Sequence, residues 1–406
     1  MLAYVLDRHG HPLMPCKPRK ARVLLASGKA CVVRRLPFTI RLLNGSTGYR
    51  QHVTAGMDTG SKKLGVAAAA NGTVLYQADI SIRTDVSKKM ERRAAYRRTR
   101  RGRKCRYRPA RWLNRASMRE DGRLAPSIRS KLESHLRERR FVESILPVTE
   151  WRVETAAFDI HKIANPEVAD YRAGPMQGFY NVKAYVLQRD GYRCRSRQEG
   201  PHVDALHVHH IVFRSKGGTN EPGNLITLCA RCHDALHAGA FEISGQRSRT
   251  RHATEMGIIK SALKRSDWRF NETFGYVTKH HRERVLGLAK SHVNDAVAIC
   301  CDPGTRLAPR AWTLYKRHVA CKDYQQTKGV RSQMRIPTGK LFGLRKFDCV
   351  ETPKGTGFVK GKRSSGQFAL MDIHGTTLTA SVNVKRNTRR RAARTSTLTM
   401  EERERG

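Results

Sequence analysis

The sequence predicts an α/β chain. Its sheet-forming segments are separated by a strongly basic helix and a Cys/His-rich ββα unit, and a small strand-rich region that suits a β-barrel follows. Three observations predict this. Residues 53–82 are short apolar runs punctuated by turn residues. Residues 83–115 hold 15 Lys or Arg against Asp85 and Glu91 alone. Residues 181–240 gather His and Cys at metal-ligand spacing.

Each element follows from its local pattern. Residues 1–52 form a small unit, with strand-like or mixed runs at Val5–Leu6, Arg22–Leu25, Cys31–Val33 and Thr39–Leu43. Val53–Asp58 is a strand. Leu64–Ala70 and Thr73–Ile82 flank Asn71-Gly72, a pair that tolerates positive φ at both turn positions and so marks a hairpin. From Arg83 to Arg101 there is neither Pro nor Gly, which permits a helix, although isolated it would repel itself. Ile128, Leu132, Leu136 and Phe141 recur at helical spacing. Trp151–Thr155 reads as a strand, and residues 253–300 return to helix, including Glu283–Lys290 and Asn294–Cys301. Lys346–Glu351, Gly357–Lys360, Gln367–Ile373 and Thr377–Val384 are short strands, and the charged tail 385–406 is expected to be disordered when free.

Composition narrows the partner. The chain of 406 residues carries a formal charge of +45, which argues against an ordinary metabolic enzyme and for a polyanion. There is no apolar run long enough to span a membrane, and the N-terminus shows no secretory pattern. Ten cysteines with a single C-x-x-C pair suit a reducing cytoplasm and one metal knuckle better than a disulfide framework. The basic stretch lacks the interleaved acids of a solvated helix, so Arg92, Arg93, Arg97, Arg98, Arg100, Arg101, Arg103 and Lys104 are expected to meet phosphates. Lys360, Lys362 and Arg363 form a second basic set.

The Cys/His segment is the most specific signal. His207-Val-His-His210 is followed by Asn224-Leu and by Cys229-Ala-Arg-Cys232-His233, in the order strand, loop, strand, helix. Such a unit can hold one Mg²⁺ between a strand end and a helix start, while an imidazole deprotonates water for attack on phosphorus. His210 is the candidate base, and His209 and His233 are candidate ligands. Asn224 either fixes the loop and orients His210 or completes the metal shell. A plain zinc knuckle with spare histidines is the simpler alternative. The arrangement resembles the HNH nuclease family over about 60 residues. That family often carries two C-x-x-C pairs, whereas here Arg197 stands where a second cysteine is expected after Cys194. Cys194, Cys229 and Cys232 remain, with His202 as a candidate fourth zinc ligand; loss of zinc is the other outcome.

Four further residues are individually weak but ordered. Asp58 ends a strand, Glu154 lies in another, and His292 with Asp295 opens a helix. Two Mg²⁺ ions about 4 Å apart need bridging carboxylates, and His292 can face the same pocket as Asp295. This order resembles the RuvC-type nucleases, which implies an RNase H-like core.

The ββα unit falls between the second and third acidic motifs, the basic helix follows the first, and Pro12-Leu-Met-Pro15 lies near the N-terminus. In this layout the chain resembles the IscB family over nearly its whole length. The resemblance implies a PLMP-type domain (1–52), RuvC parts (53–82, 116–180, 246–304), a bridge helix (83–115), an HNH domain (181–245) and a C-terminal region (305–406) that reads a short DNA motif. It implies a structured guide RNA (ωRNA), one chain per RNA, and metal-dependent cleavage of double-stranded DNA. His210 would serve the guide-paired strand, and Asp58, Glu154, His292 and Asp295 the displaced one. A guide-independent HNH/RuvC endonuclease and a cleavage-silent RNA-binding protein are the competing readings.

Overall fold

The computed structural model describes residues 2–45, 48, 50–101, 124–155, 182–196, 200–203, 205–216, 218, 220, 222–243, 251–302, 305–308, 310–320, 338–363, 365–384 and 387–403. Arg103, Lys104, Arg197 and the side chains of Arg100 and Arg101 lie outside them. The chain divides into two compact units, residues 1–156 with 258–406, and residues 157–257.

The first unit begins with a four-stranded sheet of order β2-β1-β4-β3. It comprises β1 (Ala3–Leu6), β2 (Pro12–Cys16), β3 (Ala30–Arg34) and β4 (Thr39–Leu42), with α1 (Pro18–Ala26) between β2 and β3. Arg22–Leu25, expected as strand-like or mixed, is helical. Pro18 takes a first-turn position where its missing N–H costs nothing, and Ala21 buries itself against the sheet.

A seven-stranded sheet follows: β5 (Thr54–Asp58), β6 (Lys63–Ala70), β7 (Thr73–Ser81), β8 (Glu150–Glu154), β11 (Asn271–Thr273), β12 (Trp312–His318) and β18 (Thr397–Arg403). Its order is β11-β8-β5-β6-β7-β12-β18. The predicted β6–β7 hairpin turns at Asn71 and Gly72, both at positive φ (46° and 71°). β8 joins β5 in parallel with Glu154 opposite Asp58. This register places two acids from distant parts of the chain side by side. β12 and β18 extend the sheet with residues from beyond 304, so the segment expected as a separate C-terminal region also completes the central sheet.

The helices of this unit are α2 (Val86–Arg101), α3 (Pro126–Glu143), α6 (Arg251–Lys264, whose first residues lie in the second unit), α7 (Gly275–His280) and α8 (His292–Ile299). α8 lies directly on β5 and β6 because those strands are glycine- and alanine-rich where it touches. A Cβ at Gly65 would stand 1.7 Å from the His292 carbonyl oxygen, and one at Gly56 2.5 Å from that of Ala296. The expected helix Glu283–Lys290 is not formed as such. α7 runs into a π-turn over His281–Val285, and Gly287 takes φ +63°.

α3 is tied to β12 by a buried ionic group. Glu138 accepts from Lys316 Nζ (2.5 Å) and His318 Nε2 (2.8 Å). The expected β-barrel is, among the described strands, an open five-stranded sheet of order β16-β15-β14-β13-β17. Its strands are β13 (Cys349–Thr352), β14 (Gly355–Lys362), β15 (Gln367–Met371), β16 (Thr377–Asn383) and β17 (Arg389–Ala392). The tail expected to be disordered supplies β17 and β18. Pairing with β13 and β12 satisfies its backbone, which composition alone does not reveal.

The second unit holds α4 (Val182–Arg189), β9 (Leu206–His210), β10 (Leu225–Cys229) and α5 (Ala230–His237). β9 and β10 pair antiparallel with His210 opposite Leu225. The strand–loop–strand–helix order is the predicted one.

Candidate functional site

Three strand- and helix-borne carboxylates meet in the first unit. Asp58 and Glu154 end neighbouring parallel strands. Asp295 lies in the first turn of α8, whose N-cap Ser291 side chain accepts from the Asn294 N–H (3.0 Å). His292, the first residue of α8, bonds Asp58 Oδ2 through Nδ1 at 2.5 Å. The four sequence-predicted residues therefore belong to one site. Arg282, which the sequence reading missed, makes an ion pair with Asp295, donates to Glu283 at 2.6 Å, and leaves its buried Nε without a partner. No periodic pattern marks a π-turn arginine in advance. A cleft of about 320 Å³ opens here, lined by Glu154, Thr278, Lys279, Arg282, Lys290 and Asp295 among others.

The electrostatics are those of crowded anions. Burial raises the Asp58 pKa against the pull of His292, and Asp295 adds to the rise. Burial also raises Glu154, helped by Asp58 and Asp295 and opposed by a hydrogen bond from Thr278. His292 is raised, chiefly by its bond to Asp58. Burial works against the Arg282 charge, but Asp295 and Glu283 outweigh it and its pKa rises. A buried and two half-buried carboxylates brought together on strand ends and a helix start are a donor set that fits divalent cations. On either side of Gly275, which lines the cleft, Phe274 and Tyr276 stack with rings 5.9 Å apart and 16° between planes, and Tyr276 is 74% exposed.

The second unit carries two clusters. In the first, ligand atoms of His209, His233 and His237 lie within 4.8 Å of one another. β9 presents His209, and α5 presents the other two one turn apart. His237 was missed by sequence reading, although its i,i+4 spacing from His233 on a short helix was the available signal. Burial, then the neighbouring histidines, lowers His209 to about 4, so it stays neutral and able to donate a lone pair. His209 Nε2 is 3.2 Å from His237 Nε2. His210 points to a different partner, with Nε2 2.8 Å from Asn220 Oδ1; Asn220 was also missed. Asn224 Oδ1 accepts from Val212 N–H (2.9 Å) and its Nδ2 donates to Val212 O (3.2 Å), contacts of the kind that fix a loop.

In the second cluster Cys194, His202, Cys229 and Cys232 have ligand atoms within 4.8 Å. His202 Nδ1 lies 3.6 Å from Cys229 Sγ and 3.5 Å from Cys232 Sγ. Burial opposes Cys229 ionisation, but hydrogen bonds from Cys232 and His202 overcome it and bring the thiol to about 6. Burial, with Cys229 and Cys194, raises the Cys232 thiol in turn, and the Cys₃His set as a whole is one that fits a structural metal ion without a residue at 197.

On α2, Arg92, Arg93, Arg97 and Arg98 are all exposed. Arg363 is exposed just past β14, whereas Lys360 is committed to Thr377 Oγ1 at 2.6 Å and Lys362 is half-buried.

Residues 3–174 match the family described as RRXRR protein, and residues 192–239 match the family described as HNH endonuclease. No curated protein matches the chain. The HNH match lies within the second unit and supports a nuclease, that is a hydrolase, activity. The two matches together are consistent with a nuclease of IscB type.

Proposed function

We propose that this chain is an RNA-guided DNA endonuclease with two metal-dependent cleavage sites. The HNH domain would cut the guide-paired strand, and an RuvC-like site on the seven-stranded sheet would cut the displaced one. The observation that carries the reading is the meeting of Asp58, Glu154, His292 and Asp295 in a chain that also holds the His209–His233–His237 cluster. The charge of +45 and the exposed arginines of α2 suit a protein that must neutralise a folded RNA and a heteroduplex.

In the HNH domain, His210 is the base. The Asn220 carbonyl accepts from Nε2–H, which leaves Nδ1 to take the proton of the attacking water. His209, His233 and His237 would hold one Mg²⁺, and Cys194, His202, Cys229 and Cys232 a structural Zn²⁺. In the RuvC-like site, Asp58, Glu154 and Asp295 would hold two Mg²⁺. Bound divalent cations supply charge stabilisation of the leaving oxygen and a more acidic water. His292, anchored through Nδ1 on Asp58, keeps Nε2 for the water proton. Lys279 and Lys290 offer charge to flanking phosphates, and Phe274 with Tyr276 offers a stacking surface for a single-stranded base.

The test is purification from cells carrying the flanking locus, sequencing of the bound RNA, and cleavage of a matching duplex with Mg²⁺. One abundant structured RNA with a variable end, and cutting that RNase abolishes, is the expected result. Cutting that persists without RNA would replace this reading with a guide-independent endonuclease.

A further inference from the structure

A second cavity, of about 620 Å³, lies in the first unit, apart from the carboxylate site. It is lined by the last residue of β3 and the two residues after it, the C-terminal half of α3, and residues on and around β12 to β18. Its volume falls in the range of about 300–1,000 Å³ usual for small-ligand pockets. Five of its lining residues are cations, Arg34, Arg35, Arg137, Lys316 and Arg391, and one is an anion, Glu138. That anion is already matched by Lys316 and His318. Arg391 is held by Glu351 at 2.8 Å.

Two features mark this groove as built for an occupant. Arg34 Nη1 is buried and has no hydrogen-bond partner, while its guanidinium sits 4.8 Å from the Phe141 ring centroid. A buried guanidinium N–H without an acceptor carries a desolvation cost that an incoming anion would remove. Phe347 holds φ +73°, a conformation that costs a bulky residue free energy, with its N–H bonded to Val359 O at 2.8 Å. It presents a half-buried aromatic side chain to the groove.

We infer that this groove binds a single unpaired nucleotide of a nucleic-acid strand. Its phosphate would sit on Arg34 and its base against the Phe347 side of the groove. An aromatic and aliphatic floor with an arginine rim matches the two halves of a nucleotide. An acidic peptide would satisfy the cations but leave the aromatic floor unused. The inference rests on the nucleic-acid reading above but does not require either cleavage site to be active.

The experiment uses the full chain loaded with its RNA. Photocrosslinking with 4-thiouridine in the RNA, or 4-thiothymidine in a single-stranded DNA, is mapped by mass spectrometry, and affinity is measured for each strand. The expected result is a crosslink at Phe347 or its neighbours from one of the two strands, which identifies the source. Ala393→Trp, an exposed position that fills the groove without altering charge, should then lose the crosslink and weaken that strand's binding about tenfold, toward the low end for one stacked base. Arg34→Gln should do the same, with unchanged melting of the chain as the folding control. Crosslinks confined to other surfaces, or undiminished crosslinking and affinity in Ala393→Trp, would overturn the inference. So would displacement by a poly-glutamate peptide with no nucleotide crosslink. Loss of cleavage in Asp58→Ala with this crosslink retained separates the groove from the nuclease reading.

Discussion

Replacing Glu138 by Gln is the sharpest test of how the first unit is held together. Glu138, Lys316 and His318 have side chains no more than 1% exposed. Lys316 Nζ also lies 3.3 Å from the Phe141 ring centroid. The substitution keeps the volume but leaves Lys316 without its counter-charge. Breaking a buried pair by removing one partner costs about 3–5 kcal/mol. At about 2–4 °C per kcal/mol for a domain of this class, melting should fall by about 10 °C at neutral pH. Burial opposes the Glu138 charge, but Lys316 and His318 dominate and take its pKa from an ordinary 4.5 to about 2. A carboxylate depressed in the folded state contributes stability above its unfolded pKa, and loses it as pH falls. The wild type should therefore lose its advantage over Glu138→Gln between about pH 4.5 and pH 2. Thermal melting followed by circular dichroism, for both proteins across that range, reads the effect. A neutral-pH difference within about 2 °C would refute the reasoning, because it would mean that Lys316 sheds its proton or finds water at little cost. Replacing Glu138 and Lys316 together by Leu and Met should recover much of the loss.

Four other outcomes are expected. Asp58→Ala should abolish cutting of the displaced strand and His210→Ala that of the guide-paired strand, each leaving the other nick on a strand-labelled duplex; loss of both nicks from either change would count against two independent sites. Cys232→Ser should release a metal ion bound about one per chain and expose the second unit to protease, because a structural metal site contributes directly to folding. Tyr276→Ala should raise KM for displaced-strand cutting several-fold more than it lowers kcat, since Tyr276 is exposed and stacked on Phe274, placed to hold substrate rather than to take part in the cleavage itself. His135, brought to about 4 chiefly by burial, stays neutral in the fold; stability should fall between about pH 6.5 and pH 4 as the unfolded chain takes the proton first, and His135→Phe should flatten that part of the profile.

Much of the candidate site was legible in the sequence because its chemistry is local. Asp58 ends an apolar run, His292 and Asp295 open a helix behind a Ser cap, and the HNH histidines sit at fixed spacings around two short strands. Side-chain periodicity and turn chemistry determine such features over a few residues. The Asn71-Gly72 hairpin belongs with them, because only residues tolerant of positive φ fit both turn positions. The sequence by itself also points to a polyanionic partner, since a charge of +45 acts whatever the fold.

What the tertiary structure decided was non-local. Asp58 faces Glu154 only because β8 enters the sheet parallel to β5 in one register, and nothing within either strand encodes that pairing. Arg282 reaches Asp295 from a π-turn that no helical period announces, and His237 becomes a partner of His209 only once α5 folds over β9. The tail became β17 and β18 for the same reason. A charged segment orders when distant strands offer their unpaired N–H and C=O groups, and that gain depends on partners far away in the chain. Local propensity is written in neighbouring residues, whereas burial and pairing are properties of the assembled fold.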